Sequence, residues 1–271
     1  MTRTIDLRPR RGWASAGFLL AGVAAILLAS GGVPAAADAG PAGSSVVPIG
    51  STRRSATVAT RYRRPLEVRV LDADGNPVQG ASVTFSLGAP ASSGSATGGV
   101  GATFTGGSAQ ATEVTDATGR AASPRFTANT TAGAYAATAA ATGATGATSF
   151  SLRNLPGRPA TVTPGVASRA SATAGARFPI RFAVTVTDAY KNAVPGILVT
   201  FSAPAGGPSG TFTVDSRPAR SRTVRVRSDS AGVAVAPAFI ATARQGGYIV
   251  QASVARATPA VFALVNERPG A

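Results

Sequence analysis

One pattern occurs twice in this chain, over residues 46–154 and 162–266, and a chain built that way is constrained to fold as two equivalent units. Asp72–Ser86 (DADGNPVQGASVTFS) returns 116 positions later as Asp188–Ser202 (DAYKNAVPGILVTFS). Upstream, Val46, Pro48, Arg53, Ser55 and Arg61 recur at the same shift as Val162, Pro164, Arg169, Ser171 and Arg177. A second block, Asp116, Gly119, Pro124, Phe126, Ala128, Gly133 and Tyr135, recurs 113 positions on as Asp229, Gly232, Pro237, Phe239, Ala241, Gly246 and Tyr248. The change of shift puts a three-residue length difference between the blocks, in a loop. The ends agree as well, Phe150-x-Leu152-x-Asn154 matching Phe262-x-Leu264-x-Asn266, so each copy reads as a complete unit of about 110 residues. The expected domains are 44–157 and 158–271.

Residues 1–37 stand outside the repeat and read as an export signal. Arg3, Arg8, Arg10 and Arg11 make a basic start, Trp13–Ala29 is uncharged and largely apolar, and Ala35-Ala36-Ala37 supplies small residues for cleavage before Asp38. The Arg10-Arg11-Gly12-Trp13 string leaves both general and twin-arginine export open. An uncleaved anchor is the rival reading, because Gly12–Ala37 is free of charge over a span long enough for a bilayer; its Ala/Gly content and Pro34 speak against it. Downstream there is no comparable apolar run, so the rest reads as soluble, placed outside the cell or in its envelope. The chain has no Cys, hence no disulfide and no lipoprotein anchor. A unit of this size buries enough surface to fold without such staples.

Within each copy the strand signal is direct. Leu66, Val68 and Val70 alternate with Glu67 and Arg69, as Phe182, Val184 and Val186 alternate with Thr185 and Thr187, the period of half-buried antiparallel strands. Val83-Thr84-Phe85 and Val199-Thr200-Phe201 repeat the alternation. Between these strands, Asp72–Gly80 carries turn residues, and Asp116–Gly119 and Asp229–Gly232 read as Asx-type turns. No stretch downstream of the signal carries a 3.6-residue apolar stripe. The alanines of 132–148 are interrupted by Gly133, Gly143 and Gly146 and by threonines, which favours strand and turn. Gly88–Gly107 reads as a low-complexity loop. Seven or so short strands per unit, with turns about every ten residues, predict an all-β chain of two tandem immunoglobulin-like β-sandwich domains.

The order D-x-x-G-N-P-V-x-G-x-x-V-T-F (Asp72–Phe85), T-D-x-x-G (Thr115–Gly119) and A-G-x-Y (Ala132–Tyr135) resembles the group 1 bacterial Ig-like domain found in tandem in the invasin and intimin adhesins. The second copy keeps most of these positions but departs at Lys191, Ala193, Ser228 and Gln245. The resemblance covers nearly all of 44–271 and implies an extracellular adhesion or spacer module whose partner is a cell-surface or envelope macromolecule, protein or glycan. It brings no binding site with it: the family's outer-membrane barrel and lectin-like tip have no counterpart in this sequence.

Chemistry is sparse. With no His and no Cys, triads, thiol proteases and imidazole metal sites are excluded. The acids, Asp38, Glu67, Asp72, Asp74, Glu113, Asp116, Asp188, Asp215, Asp229 and Glu267, fall mostly in turns or on outward strand positions, so no enzyme, cofactor or small-molecule substrate is expected. Asp72-x-Asp74-x-Asn76 has calcium-loop spacing, but Tyr190 and Lys191 break it in the second copy and the downstream Glu is missing, so it reads as a turn and no metal site is expected.

What remains is basic. The formal charge is +15, and removing four arginines and one aspartate with the signal leaves +12, with Lys191 the sole lysine. Arg217, Arg220, Arg222, Arg225 and Arg227 crowd one stretch, and Val224 and Val226 among them predict a strand with Arg225 and Arg227 outward, about 7 Å apart. Arg220, Arg222, Arg225 and Arg227 are therefore the candidate polyanion-binding residues. The competing reading is a charged edge strand that blocks aggregation. Arg53, Arg54, Arg61, Arg63 and Arg64 form a second cluster. Nucleic acid is not an expected partner, because stacking aromatics are nearly missing, Tyr62 being the only one in either cluster.

Overall fold

Alternation in the sequence becomes a two-layer arrangement in the computed structural model, which describes residues 43–88, 99–214 and 220–270. Residues 1–37, where the sequence predicts an export signal, and Asp38, Asp215 and Arg217 lie outside the described residues. No helix occurs among those described.

In the first repeat the strands are β1 (Ser45–Pro48), β2 (Arg53–Thr57), β3 (Glu67–Leu71), β4 (Ser82–Leu87), β5 (Ala102–Phe104), β6 (Gln110–Val114), β7 (Arg120–Ala122), β8 (Phe126–Ala128), β9 (Gly133–Ala141) and β10 (Thr148–Leu155). A five-stranded sheet runs β2-β10-β9-β4-β6, and it is opposed by β1-β3-β7 and the short pair β5-β8. The second repeat supplies β11 (Thr161–Pro164), β12 (Arg169–Thr173), β13 (Ala183–Thr187), β14 (Leu198–Ser202), β15 (Gly210–Thr213), β16 (Arg220–Ser221), β17 (Thr223–Arg227), β18 (Val233–Val235), β19 (Phe239–Ala241), β20 (Gly246–Ser253) and β21 (Ala260–Glu267). Its sheets repeat the first set: β12-β21-β20-β14-β17 against β11-β13-β18 and β16-β15-β19. Most neighbours are antiparallel; β2 with β10 and β12 with β21 are parallel.

Each repeat has its own core. Leu66, Val68 and Val70 face Val83, Phe85, Phe126 and Phe150 in the first, and Phe182, Val184 and Val186 face Val199, Phe201, Phe212 and Phe262 in the second. The expected inward and outward faces are those found. Burying a Phe or Val of this kind contributes roughly 1.5–3 kcal/mol per side chain.

The turns follow from their residues. Asp116 Oδ1 accepts from the Thr118 and Arg120 amides at 2.8 and 3.0 Å, and Asp229 Oδ1 from Ala231 and Val233, both at 2.9 Å. The closing glycines are required twice over. Gly119 and Gly232 have φ near +70°, and a Cβ would stand 2.7 Å from the Val70 carbonyl oxygen and 2.8 Å from that of Val186, respectively. The departure at Ser228 is chemically silent: its hydroxyl donates to Val194 O and accepts from Ile197 N, as Thr115 does with Val78 and Ala81.

Two readings change. Gly88–Gly107 is not a loop throughout: residues 89–98 lie outside the described residues, but Ala102–Phe104 forms β5, with Ala102 and Phe104 buried against β8. The aromatic supplies enough apolar area to hold a three-residue strand despite the glycines around it. Tyr62 is not a stacking platform. It is 1% exposed, packs on Phe126 at a centroid distance of 4.5 Å, and donates to Asn154 Oδ1 at 2.8 Å.

Candidate functional site

A buried asparagine closes each sandwich at the same place. Asn154, 1% exposed, accepts from Tyr62 and donates through Nδ2 to Gly101 O at 2.8 Å, Asn129 Oδ1 at 3.0 Å and Thr131 O at 3.2 Å. Asn266 accepts from Tyr248 at 2.9 Å and donates to Ser209 O and Arg244 O, both at 2.9 Å. These amides tie the last strand of each repeat to its end loops, which is why buried polar groups are tolerated there. Burial raises the hydroxyl pKa of Tyr62, Tyr135 and Tyr248 well above the ordinary phenol value, keeping them neutral donors.

The two repeats meet through the Asp188–Asn192 turn. Asn192 donates to Thr130 O at 2.8 Å and accepts from Ala132 N at 2.9 Å, while Asp188 Oδ2 accepts from Gly157 N at 2.7 Å. Asp188 is 1% exposed. Burial opposes its ionisation, but donors from Asn192, Gly157 and Tyr190 together outweigh it and hold the carboxyl below its ordinary range. The matching turn in the first repeat folds on itself alone: Asp72 accepts from Asp74 and Asn76 amides at 3.0 and 2.8 Å and from Asn76 Nδ2 at 3.3 Å. Its carboxylate oxygens are thus engaged as a turn, and among the described residues no group of three or more acidic side chains is placed to hold a metal.

The candidate arginines are only partly brought together. β17 is the outer strand of its sheet, with Arg225 and Arg227 exposed and Val224 and Val226 half-buried. Arg225 stands opposite Thr200 and Arg227 opposite Leu198, and Arg227 Nη1 donates to Gly196 O at 2.9 Å. Arg220 sits on β16, which pairs with β15 of the opposing sheet, and Arg222 lies exposed between the two strands. The four therefore straddle two sheets and do not form one row.

The second cluster has a shape that the sequence did not reveal. Arg53, Arg54, Arg63 and Arg64 line a cleft of about 320 Å³ with Ser55 and Tyr62. A groove of about 370 Å³ shares Arg53, Arg54 and Ser55 and adds Arg153, Ser151, Leu152 and Ala134. Arg153 arrives through the parallel register, opposite Ser55, from 98 residues away in the chain. At the equivalent place the second repeat has a groove of about 750 Å³ whose side chains include Ala170, Tyr248, Ile249, Ala263 and Val265, with Arg169 its one arginine.

No family model matches the sequence, and no curated protein is similar to it. Solved structures match in fold. The Yersinia pseudotuberculosis protein InvD aligns with a TM-score of 0.50 at 16% identity, covering 83% of this chain and 57% of that one. The fold is an immunoglobulin-like sandwich similar to that of InvD. The Escherichia coli adhesin FdeC gives 0.44 at 20% identity over 84% and 66% of the two chains. Invasin, described as a bacterial integrin-binding protein, gives 0.34 at 19% over 83% and 39%. This Ig-like chain spans under two thirds of the length of each.

Proposed function

We propose that the chain is an exported, non-catalytic Ig-like repeat protein that works as an adhesion or spacer module at the cell surface or outside it. Residues 1–37 serve as its signal, or as an anchor if uncleaved, and 44–157 and 158–271 are its two domains. The observation that carries this reading is the arrangement of two sandwiches with separate cores joined by a hydrogen-bonded turn, a form suited to holding something at a distance. The likeness in fold to InvD agrees with it, as does a sequence without His or Cys. Fractionating producing cells into medium, wall and membrane, followed by sequencing of the mature N-terminus, tests it. Protein in the cytosol with Met1 intact would end the proposal. Expressed alone, 44–157 and 158–271 should each unfold cooperatively, and failure of either would move the domain boundary.

A second reading, a cell-envelope polyanion binder using Arg220, Arg222, Arg225 and Arg227, is favoured by the exposure of all four. Changing Arg225 and Arg227 to Ser should then weaken retention on isolated cell walls and flatten its salt dependence. Unchanged retention at every salt concentration would leave β17 as a charged edge.

A further inference from the structure

We propose that the cleft and groove along β2 of the first repeat form a binding site for the phosphate groups of a linear anionic polymer. Five arginines are among the residues that line the two depressions, Arg53 and Arg54 lining both, Arg63 and Arg64 the cleft and Arg153 the groove. No carboxylate among the described residues lines either one, and the ion pair between described residues, Arg120 with Glu67 at 2.8 Å, involves none of the five. Charge of one sign, concentrated in a concave surface, is the arrangement that focuses a field on an oxyanion. Guanidinium suits phosphate because its planar donors meet two oxygens at once.

Arg53, Arg63, Arg64 and Arg153 are exposed, as charges that blunt a sheet edge commonly are, and the exception is Arg54. Arg54 is half-buried, and its Nε is buried with no hydrogen-bond partner among the described residues. A buried donor on a cation without a partner is costly, and an anion drawn into the cleft would remove that cost. The second repeat supplies the control. β12 lies at the same sheet edge as β2, yet Arg54, Arg63, Arg64 and Arg153 are replaced there by Ala170, Pro179, Ile180 and Val265. The fold needs no arginine at those four positions. A string of phosphates fits better than a single ion because the two depressions adjoin, sharing Arg53, Arg54 and Ser55 in their linings, and each carries further arginine of its own.

The test measures binding of short-chain inorganic polyphosphate to the full chain by titration calorimetry at several salt concentrations, with orthophosphate and a sulfated glycan in parallel. Arg63→Ser with Arg64→Ser removes two exposed charges and leaves the core intact. It should lower polyphosphate affinity at least tenfold and make the log–log salt slope shallower by roughly 1.5. Arg225→Ser with Arg227→Ser removes the same charge from β17 and should change affinity by under threefold. Arg54→Lys keeps the charge but loses the fork, and should weaken binding with no change in the unfolding midpoint. Equal losses from the two double variants would overturn the site in favour of a diffuse field, whatever becomes of the β17 reading. Undiminished binding by the Arg54 variant, or orthophosphate bound as tightly as the polymer, would overturn it too, and preference for the sulfated glycan would overturn the phosphate assignment.

Discussion

The two repeats share a frame and differ on one face. Behind that face Phe85 and Phe201, Phe126 and Phe239, and Asn154 and Asn266 occupy the same places in the same environments. On the outside of the five-stranded sheet the first repeat presents Ser149, Ser151, Arg153 and Ala136, and the second presents Val261, Ala263, Val265 and Ile249. Ile249, Val261 and Val265 are 55%, 49% and 44% exposed, so over β20 and β21 the second face is apolar where the strand β10 of the first is polar and basic. One frame thus carries different surfaces at equivalent strands. What the fold demands lies in the core and turns, and what distinguishes the copies lies at the β2 and β12 edges and the adjoining sheet face.

The largest test of the shared frame is the aromatic core. Phe85→Ala and Phe201→Ala should each cost roughly 3–5 kcal/mol in denaturant unfolding of the affected repeat expressed alone. A cost below about 1 kcal/mol at either position would break the equivalence. Next come the buried amides. Asn154→Ala and Asn266→Ala should each cost about 3 kcal/mol, because several carbonyls and a tyrosine hydroxyl lose their partner in a closed space. If only one of the pair matters, the ends of the two sandwiches are held by different means.

The junction turn separates the copies again. Asp188→Ala should cost about 2 kcal/mol of the coupling between the repeats, whereas Asp72→Ala, at an exposed turn, should leave that coupling untouched. Since the Asp188 carboxyl is held below its ordinary pKa, its contribution is fully present above about pH 4 and is lost as pH falls through the lowered folded value. Thermal scans from pH 6 to pH 2 should show one merged transition resolving into two at the acid end, and scans that stay merged throughout would remove Asp188 from the junction. The smallest effect is a gain. Lys191 holds φ +69° where Gly75 holds +85° in the first repeat, so Lys191→Gly should stabilise the second repeat by about 1 kcal/mol, read as a shift of its unfolding midpoint.

Much of this frame was legible in the residues because period-two alternation and Asx turns are local. Leu66-x-Val68-x-Val70 names its own inner face, and Asp116-x-x-Gly119 its own turn. β5 was missed because only Ala102 and Phe104 signal it, inside a Gly- and Ser-rich stretch. Tyr62 was misread because it sits between arginines in the chain; Phe178, its counterpart, already marked the position as core. Asn154 and Asn266 recurred in the sequence, but recurrence alone does not tell a buried donor from an exposed one. The β2 cleft was out of reach, since Arg153 joins Arg53 only once β10 lies beside β2 in parallel register.

That parallel register has a consequence under tension. In each repeat the second strand lies beside the final strand and points the same way, Arg53–Thr57 along Ser151–Leu155 and Arg169–Thr173 along Ala263–Glu267. Pulling the ends of a repeat apart therefore slides the two strands lengthwise, loading their five paired residues together. An antiparallel hairpin pulled from its open end would instead unzip pair by pair. Each sandwich carries a clasp that resists stretching along the chain far more than it resists peeling, the mechanical property required of a tether that bears load.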